Sequence, residues 1–249
     1  LELKNIYKNF GSVKALSNVN FNVEKGEFGA IMGESGSGKT TLANAVLGML
    51  KNTAGEVKHY TSMPQMVFQD PTSAFNPKMK VKDIICEPLL NFGLVQKQDV
   101  AQKAGELLEM VDLPADFAER FPNNMSGGQR QRVAIARALA LEPEIIVCDE
   151  ATSALDVSVQ DNIIRLLCKL QQEKGVTFMF ICHDLALVSM FAHRVTVMYL
   201  GNIMEKIDGD KLETARHPYT RALLKAVFPV KDTGHEIQCL QGEVPSPLN

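Results

Sequence analysis

A chain of 249 residues is long enough to bury a sizeable core and to form one large α/β domain, with or without a lobe. Its formal charge of −3 and pI near 6.0, with no run of like charges, give no general electrostatic reason to expect a nucleic-acid partner. The strongest apolar run, residues 176–182, is strand-sized and far short of a bilayer span. The opening residues read as a strand pattern rather than a signal peptide.

Residues 1–7 alternate apolar and polar side chains and predict an edge strand. Residues 18–24, with Val19, Phe21 and Val23 alternating, predict a half-buried one, and Lys25-Gly26 marks a turn. The first strands are therefore expected to be antiparallel, ahead of a parallel core that begins at Phe28. Between them lie Tyr7, Phe10 and Gly11. An aromatic here could stack on a nucleotide base, although a packed loop aromatic explains it as simply.

The organising stretch follows the short apolar run 28–32. Gly33-Glu34-Ser35-Gly36-Ser37-Gly38-Lys39-Thr40-Thr41 fits the phosphate-loop pattern of Gly, four residues, then Gly-Lys-Ser/Thr. Residues 41–50 read as a buried helix, so strand, glycine loop and helix stand in the required order. Glycines let the backbone turn tightly and bring consecutive N–H groups onto phosphate oxygens. The helix N-terminus adds unpaired donors and partial positive charge. Lys39 is expected to reach the β- and γ-phosphates, and the Thr40 hydroxyl to ligate Mg²⁺.

Residues 55–60 and 64–68 predict two short strands, the second running into Gln69-Asp70-Pro71. Pro71 is expected to stop regular structure, and 72–79 to be loop. Residues 82–91 and 100–111 carry helical apolar stripes. This insert, roughly 71–124, reads as a helical lobe; with the first turns of the next helix it spans about residues 71–135.

Ser126-Gly127-Gly128-Gln129 then opens a helix over 130–141. Ser126 is a good N-cap and the two glycines leave backbone N–H groups uncovered, which makes a second anion-binding helix start. A lone Ser-Gly-Gly is more commonly a simple cap. Residues 144–148 predict a buried strand running into Asp149-Glu150. Two carboxylates at the end of a core strand are costly unless metal or water chemistry uses them. A helix over 157–174 and a core strand over 177–182 follow, the strand ending on His183-Asp184, where open α/β sheets bind ligands. Residues 194–207 predict a hairpin around Gly201-Asn202, and 220–227 a last helix. The cysteines (Cys86, Cys148, Cys168, Cys182, Cys239) lack metal-ligand spacing and read as buried free thiols of a reducing compartment.

Taken in this order, the residues resemble the ATP-binding subunit of ABC transporters along nearly the whole chain. Walker A is Gly33 to Thr41, the Q-loop residue is Gln69, and the signature is Ser126-Gly127-Gly128-Gln129, with Met125 in place of the usual Leu. Walker B ends on Asp149, followed by the catalytic Glu150; the D-loop is Ser153-Ala154-Leu155-Asp156 and the switch histidine is His183. Phe10 sits where the family's adenine-stacking aromatic would be, with Tyr7 the less favoured choice. Val67-Phe68-Gln69-Asp70-Pro71-Thr72-Ser73-Ala74-Phe75-Asn76-Pro77, His217-Pro218-Tyr219-Thr220-Arg221-Ala222-Leu223-Leu224 and Gly242-Glu243-Val244-Pro245-Ser246-Pro247-Leu248-Asn249 are similar to the oligopeptide, dipeptide and nickel importers.

The resemblance implies an α/β fold: a P-loop NTPase (RecA-like) core with a parallel sheet, an N-terminal antiparallel β lobe and an inserted α-helical lobe. It implies one ABC-type domain over 1–249 with a C-terminal family extension of about 216–249. The cofactors implied are ATP and Mg²⁺, the latter on Thr40, Gln69 and Asp149. The implied machinery is a head-to-tail dimer with a second ATP-binding subunit, expected to be a different paralogue because the Gln129 form resembles the second subunit of such pairs. The resemblance also implies two transmembrane permease subunits and, indirectly, an extracytoplasmic binding protein, with this chain peripheral at the cytoplasmic face of the membrane. ATP in one subunit's Lys39 loop would face the other's Ser126-Gly127-Gly128. Gln69 would sense Mg²⁺ and water, Glu150 would activate the water, and His183 would stabilise γ-phosphate charge. Cys239 matches no ligand position of the iron–sulfur extension found in many relatives, so no cluster is expected. Import of peptides leads; nickel or a metal chelate is the alternative cargo. A soluble ABC ATPase acting on nucleic acid or ribosomes, and a P-loop module without catalysis, are the readings from other classes.

Overall fold

The computed structural model describes residues 1–59 and 64–227. In chain order come β1 (Glu2–Phe10), β2 (Val13–Asn22), β3 (Phe28–Met32), α1 (Lys39–Val46) and β4 (Ala54–Lys58). Next are β5 (Gln65–Val67), α2 (Pro71–Ala74), α3 (Val81–Asn91), α4 (Val100–Met110), α5 (Gly127–Leu139), β6 (Ile145–Asp149) and α6 (Val157–Lys174). Then follow β7 (Thr177–Cys182), α7 (Leu185–Ser189), β8 (Arg194–Tyr199), β9 (Asn202–Asp208) and α8 (Pro218–Val227). These fall into two compact units, one over Leu1–Thr61 and Thr177–Asn249, the other over Ser62–Val176.

The first unit carries an antiparallel sheet, β2-β1-β4, and the strand run β7-β3-β8-β9. β7, β3 and β8 are parallel, and β9 returns antiparallel beside β8. Every residue of β3 is buried, as expected for a parallel strand covered on both faces. Phe28 on β3 stacks on Phe178 with ring centroids 5.0 Å apart and meets the edge of Phe191 at 4.6 Å. Such aromatic pairs add about 0.5–1.5 kcal/mol beyond their buried area.

β1 is not the edge strand its alternation predicts. It lies between β2 and β4, with Leu3 opposite both Phe21 and Val57. The second partner comes from a polar segment far along the chain, which leaves no mark on the pattern of β1 itself. β1 also runs on to Phe10, so Tyr7 and Phe10 are strand residues and not loop aromatics. β2 starts at Val13, earlier than the alternation indicates, because Asn18 at φ 50 interrupts the period. α1 ends at Val46, short of the expected residue 50; Gly48 at φ 71 turns the chain away.

In the second unit β5 pairs parallel with β6, and α3, α4 and α5 bury Ile84, Ile85, Ala104, Leu108, Val133 and Ile135 together. Pro71 starts α2 rather than stopping regular structure. A proline is tolerated at the first helical position because the N–H it lacks has no intrahelical partner there. α6 begins on Asp156, whose carboxylate accepts from the Val159 N–H, and ends on Gly175 in the left-handed region. Its stripe of Ile163, Leu166, Leu167 and Leu170 is buried. Cys86 and Cys148 are buried free thiols, Cys182 is buried and Cys168 is half-buried. Burial pushes the Cys86 thiol up to about 11, which keeps it protonated and unreactive. Tyr60, Cys239 and the stretch Gly242 to Asn249 lie outside the described residues.

Candidate functional site

The phosphate loop leaves the carboxyl end of β3. Met32 is in register with Cys182 on β7 and Val197 on β8, so His183, which follows Cys182, starts from the same end of the strands as Gly33. His183 is exposed. Gly33, Gly36 and Gly38 have φ of 155°, 78° and 98°, a region that L side chains rarely enter. Gly38 is the N-cap of α1, no side chain caps it, and the first turn carries no acidic residue. That leaves first-turn N–H groups and the helix's positive end for an anion.

Lys39 is 6% exposed, so its charge needs partners. Its Nζ donates to the carbonyls of Gly33 at 2.7 Å and Glu34 at 2.8 Å, and to Ser37 Oγ at 3.4 Å. Thr40 is exposed on the first turn of α1 and Thr41 is half-buried. Ser35 and Gly36 are exposed. Tyr7 and Phe10 are 39% and 49% exposed, and Lys8 Nζ lies 4.9 Å from the Phe10 ring centroid. Both aromatics have a face available for stacking.

In the second unit, Val67 is in register with Cys148, so Phe68-Gln69 and Asp149-Glu150 leave the same end of the β5–β6 pair. Gln69 is exposed; Asp149 and Glu150 are half-buried. Glu150 has φ 49, turning the chain sharply out of β6. Ser126 caps α5: its Oγ accepts from the Gln129 N–H at 3.3 Å, and Gln129 Oε1 accepts from the Ser126 N–H at 2.9 Å. This reciprocal capping box fixes the signature turn at the helix start. Gly127 and Gly128 face α6 and its entry: added methyls would meet Leu155 at 3.4 Å and Val159 at 2.5 Å.

Two supports escape a reading of the sequence. Gln131, 1% exposed, donates from Nε2 to the Phe68 carbonyl at 3.5 Å, joining the signature helix to the segment just before Gln69. Ser153 bonds back to Glu150 through both its N–H and its hydroxyl. A Gln on the buried face of an apolar helix is the trace that could have marked the first.

In the first unit, a glycine loop running into a helix start that no side chain caps is the arrangement that binds phosphate groups in proteins. Comparison with known proteins agrees. The family model described as ABC transporter matches residues 16–153. A Brucella ovis protein named as a peptide import ATP-binding protein is 44% identical over 255 residues, covering 96% of this chain and 80% of that relative. A Sinorhizobium fredii peptide ABC transporter ATP-binding protein is 45% identical, covering 95% of this chain and 72% of its own. A solved ATP-binding cassette, a dimer in a post-hydrolysis state with ADP and Pi, superposes with a TM-score of 0.72 at 34% identity, over 83% of this chain and 97% of that one.

Proposed function

The chain belongs to the ABC transporter family, and on that premise we propose that it is the ATP-hydrolysing subunit energising import of peptides across a membrane. One observation carries the chemistry: a buried lysine held by the carbonyls of a glycine loop whose helix start is uncapped. Phosphate oxygens are the ligands such a loop serves.

The site residues are assigned on this reading. Gly33, Glu34, Ser35, Gly36, Ser37, Gly38, Lys39, Thr40 and Thr41 receive the phosphates, and Phe10 or Tyr7 stacks on adenine. Thr40, Gln69 and Asp149 would supply oxygens for Mg²⁺, which would neutralise charge on the phosphates. Among the described residues no cluster of three or more His, Cys, Asp or Glu side chains could hold a metal ion alone, so this cation would share its coordination with nucleotide and water. Glu150 orients and deprotonates the attacking water, and His183 stabilises charge at the γ-phosphate.

Ser126, Gly127, Gly128 and Gln129 act on the nucleotide of a second ATP-binding subunit in a head-to-tail dimer, a paralogue in the leading arrangement. The dimeric state of the solved cassette supports the pairing of two ATP-binding subunits. Two permease subunits and an extracytoplasmic binding protein complete the transporter. A peripheral position on the cytoplasmic face of the membrane follows from the importer reading, which the names of the relatives support; no helix among the described residues is long and apolar enough to cross a membrane. Peptide cargo is favoured over nickel or a metal chelate because the relatives are named for peptides.

The test is reconstitution of the chain with its permease subunits and binding protein in vesicles. ATP hydrolysis stimulated by peptide, with peptide accumulating inside, is the expected result. Stimulation by nickel alone, or by nucleic acid without membranes, would replace the reading.

A further inference from the structure

Three contacts brace the phosphate loop within its own unit. The Gly201 N–H, in the turn between β8 and β9, donates to the Ser37 carbonyl at 3.0 Å. Gly33 packs so closely on the Met198 carbonyl of β8 that any side chain there would overlap it. The third contact comes from α8, part of the segment that the sequence analysis assigned to a family extension without a role. There the Glu34 N–H donates to the Tyr219 hydroxyl at 3.4 Å.

Tyr219 is placed by several groups. Glu205 on β9 accepts from the backbone N–H groups of Arg216 and His217 at 2.7 and 3.0 Å, anchoring the entry to α8. The Tyr219 N–H then donates to His217 Nδ1 at 3.2 Å. Its ring packs on Tyr199, the last residue of β8, with centroids 4.7 Å apart. Burial raises the Tyr219 hydroxyl above its ordinary value, so it stays neutral at assay pH. The β8–β9 hairpin therefore supports the loop directly through Met198 and Gly201, and indirectly through Tyr199, Glu205 and Tyr219.

We propose that Tyr219 is a positioning residue for the phosphate loop: its hydroxyl holds the Glu34 amide, so that α8 sets the geometry in which the loop receives the polyphosphate. The proposal rests on the reading of Gly33 to Thr41 as the nucleotide loop. It adds that nucleotide affinity depends on a helix remote in sequence from that motif.

Tyr219→Phe tests it, because the ring and its packing on Tyr199 remain while the acceptor is lost. The full chain is titrated calorimetrically with ATP and with ADP, its thermal midpoint is measured without nucleotide, and KM and kcat are measured for hydrolysis. One long neutral hydrogen bond predicts a loss of about two- to tenfold in affinity for both nucleotides. KM should rise by the same factor while kcat and the nucleotide-free midpoint hold. Unchanged affinity, or a lower midpoint without a specific affinity loss, overturns the proposal. Lys39→Ala is titrated alongside. If wild type binds no ATP, or Lys39→Ala binds it equally well, the loop reading itself fails and the proposal with it.

Discussion

The Ser153 hydroxyl donates to the Glu150 carbonyl at 2.9 Å, and the Ser153 N–H donates to the same oxygen at 3.1 Å. This closed turn holds Glu150 at φ 49, a left-handed conformation that costs a non-glycine residue about 1–2 kcal/mol. The turn fixes the backbone from which the Glu150 side chain leaves. Ser153→Ala should lower kcat by about two- to tenfold, the worth of one hydrogen bond, with the KM for ATP unchanged. Steady-state hydrolysis at varied ATP checks both halves.

Glu150→Gln keeps size and polarity and removes the base. General-base assistance contributes about 10²–10⁴-fold, so turnover should fall by that order while ATP binding persists. Because ATP then lingers, the variant should run as a dimer with ATP in size exclusion. Turnover near the wild-type rate would remove Glu150 from its role.

Lys39→Ala removes the ammonium that Gly33, Glu34 and Ser37 share. ATP at a hundred times its Kd should stabilise the wild type by about 2.7 kcal/mol, read as a rise in thermal midpoint. The variant should show no such rise at the same concentration.

Gly128→Ala would bring a methyl to 2.5 Å from Val159 Cγ1. Overpacking of this kind costs about 1–3 kcal/mol. Val159→Ala in the same chain removes the obstructing methyl and should restore most of the loss, a coupling that denaturant titration of the single and double variants measures.

Ser126→Asp separates the two duties given to the signature serine. Aspartate is as good an N-cap as serine, so the thermal midpoint should hold. A carboxylate facing a partner's γ-phosphate should repel it, so hydrolysis should collapse while monomers still bind ATP. A full hydrolysis rate would refute the action in trans.

What the sequence made legible was local. The glycine loop is contiguous, and its strand and helix flank it directly. The apolar run of β3 and the stripe of α6 each declare their burial within a few turns of chain. Pairings over distance were hidden. β1 gains β4 from a segment whose Ala54, Gly55 and Glu56 are exposed and carry no core pattern. Gln131 meets Phe68 across 63 positions, and Glu34 meets Tyr219 across 185. A single hydrogen bond between distant residues leaves no periodicity to read. Pro71 misled because one residue type both ends helices and begins them, and only the backbone around it decides which.

The lysine at the heart of the loop never has to stand bare. Gly33 and Glu34 already lend it two oxygens, so a departing phosphate chain hands the ammonium back to the backbone rather than to an empty hollow. On the proposed reading, a phosphate oxygen would join or replace these carbonyls as a partner of the ammonium. Neutral carbonyl dipoles of this kind solvate a buried cation and hold it in position.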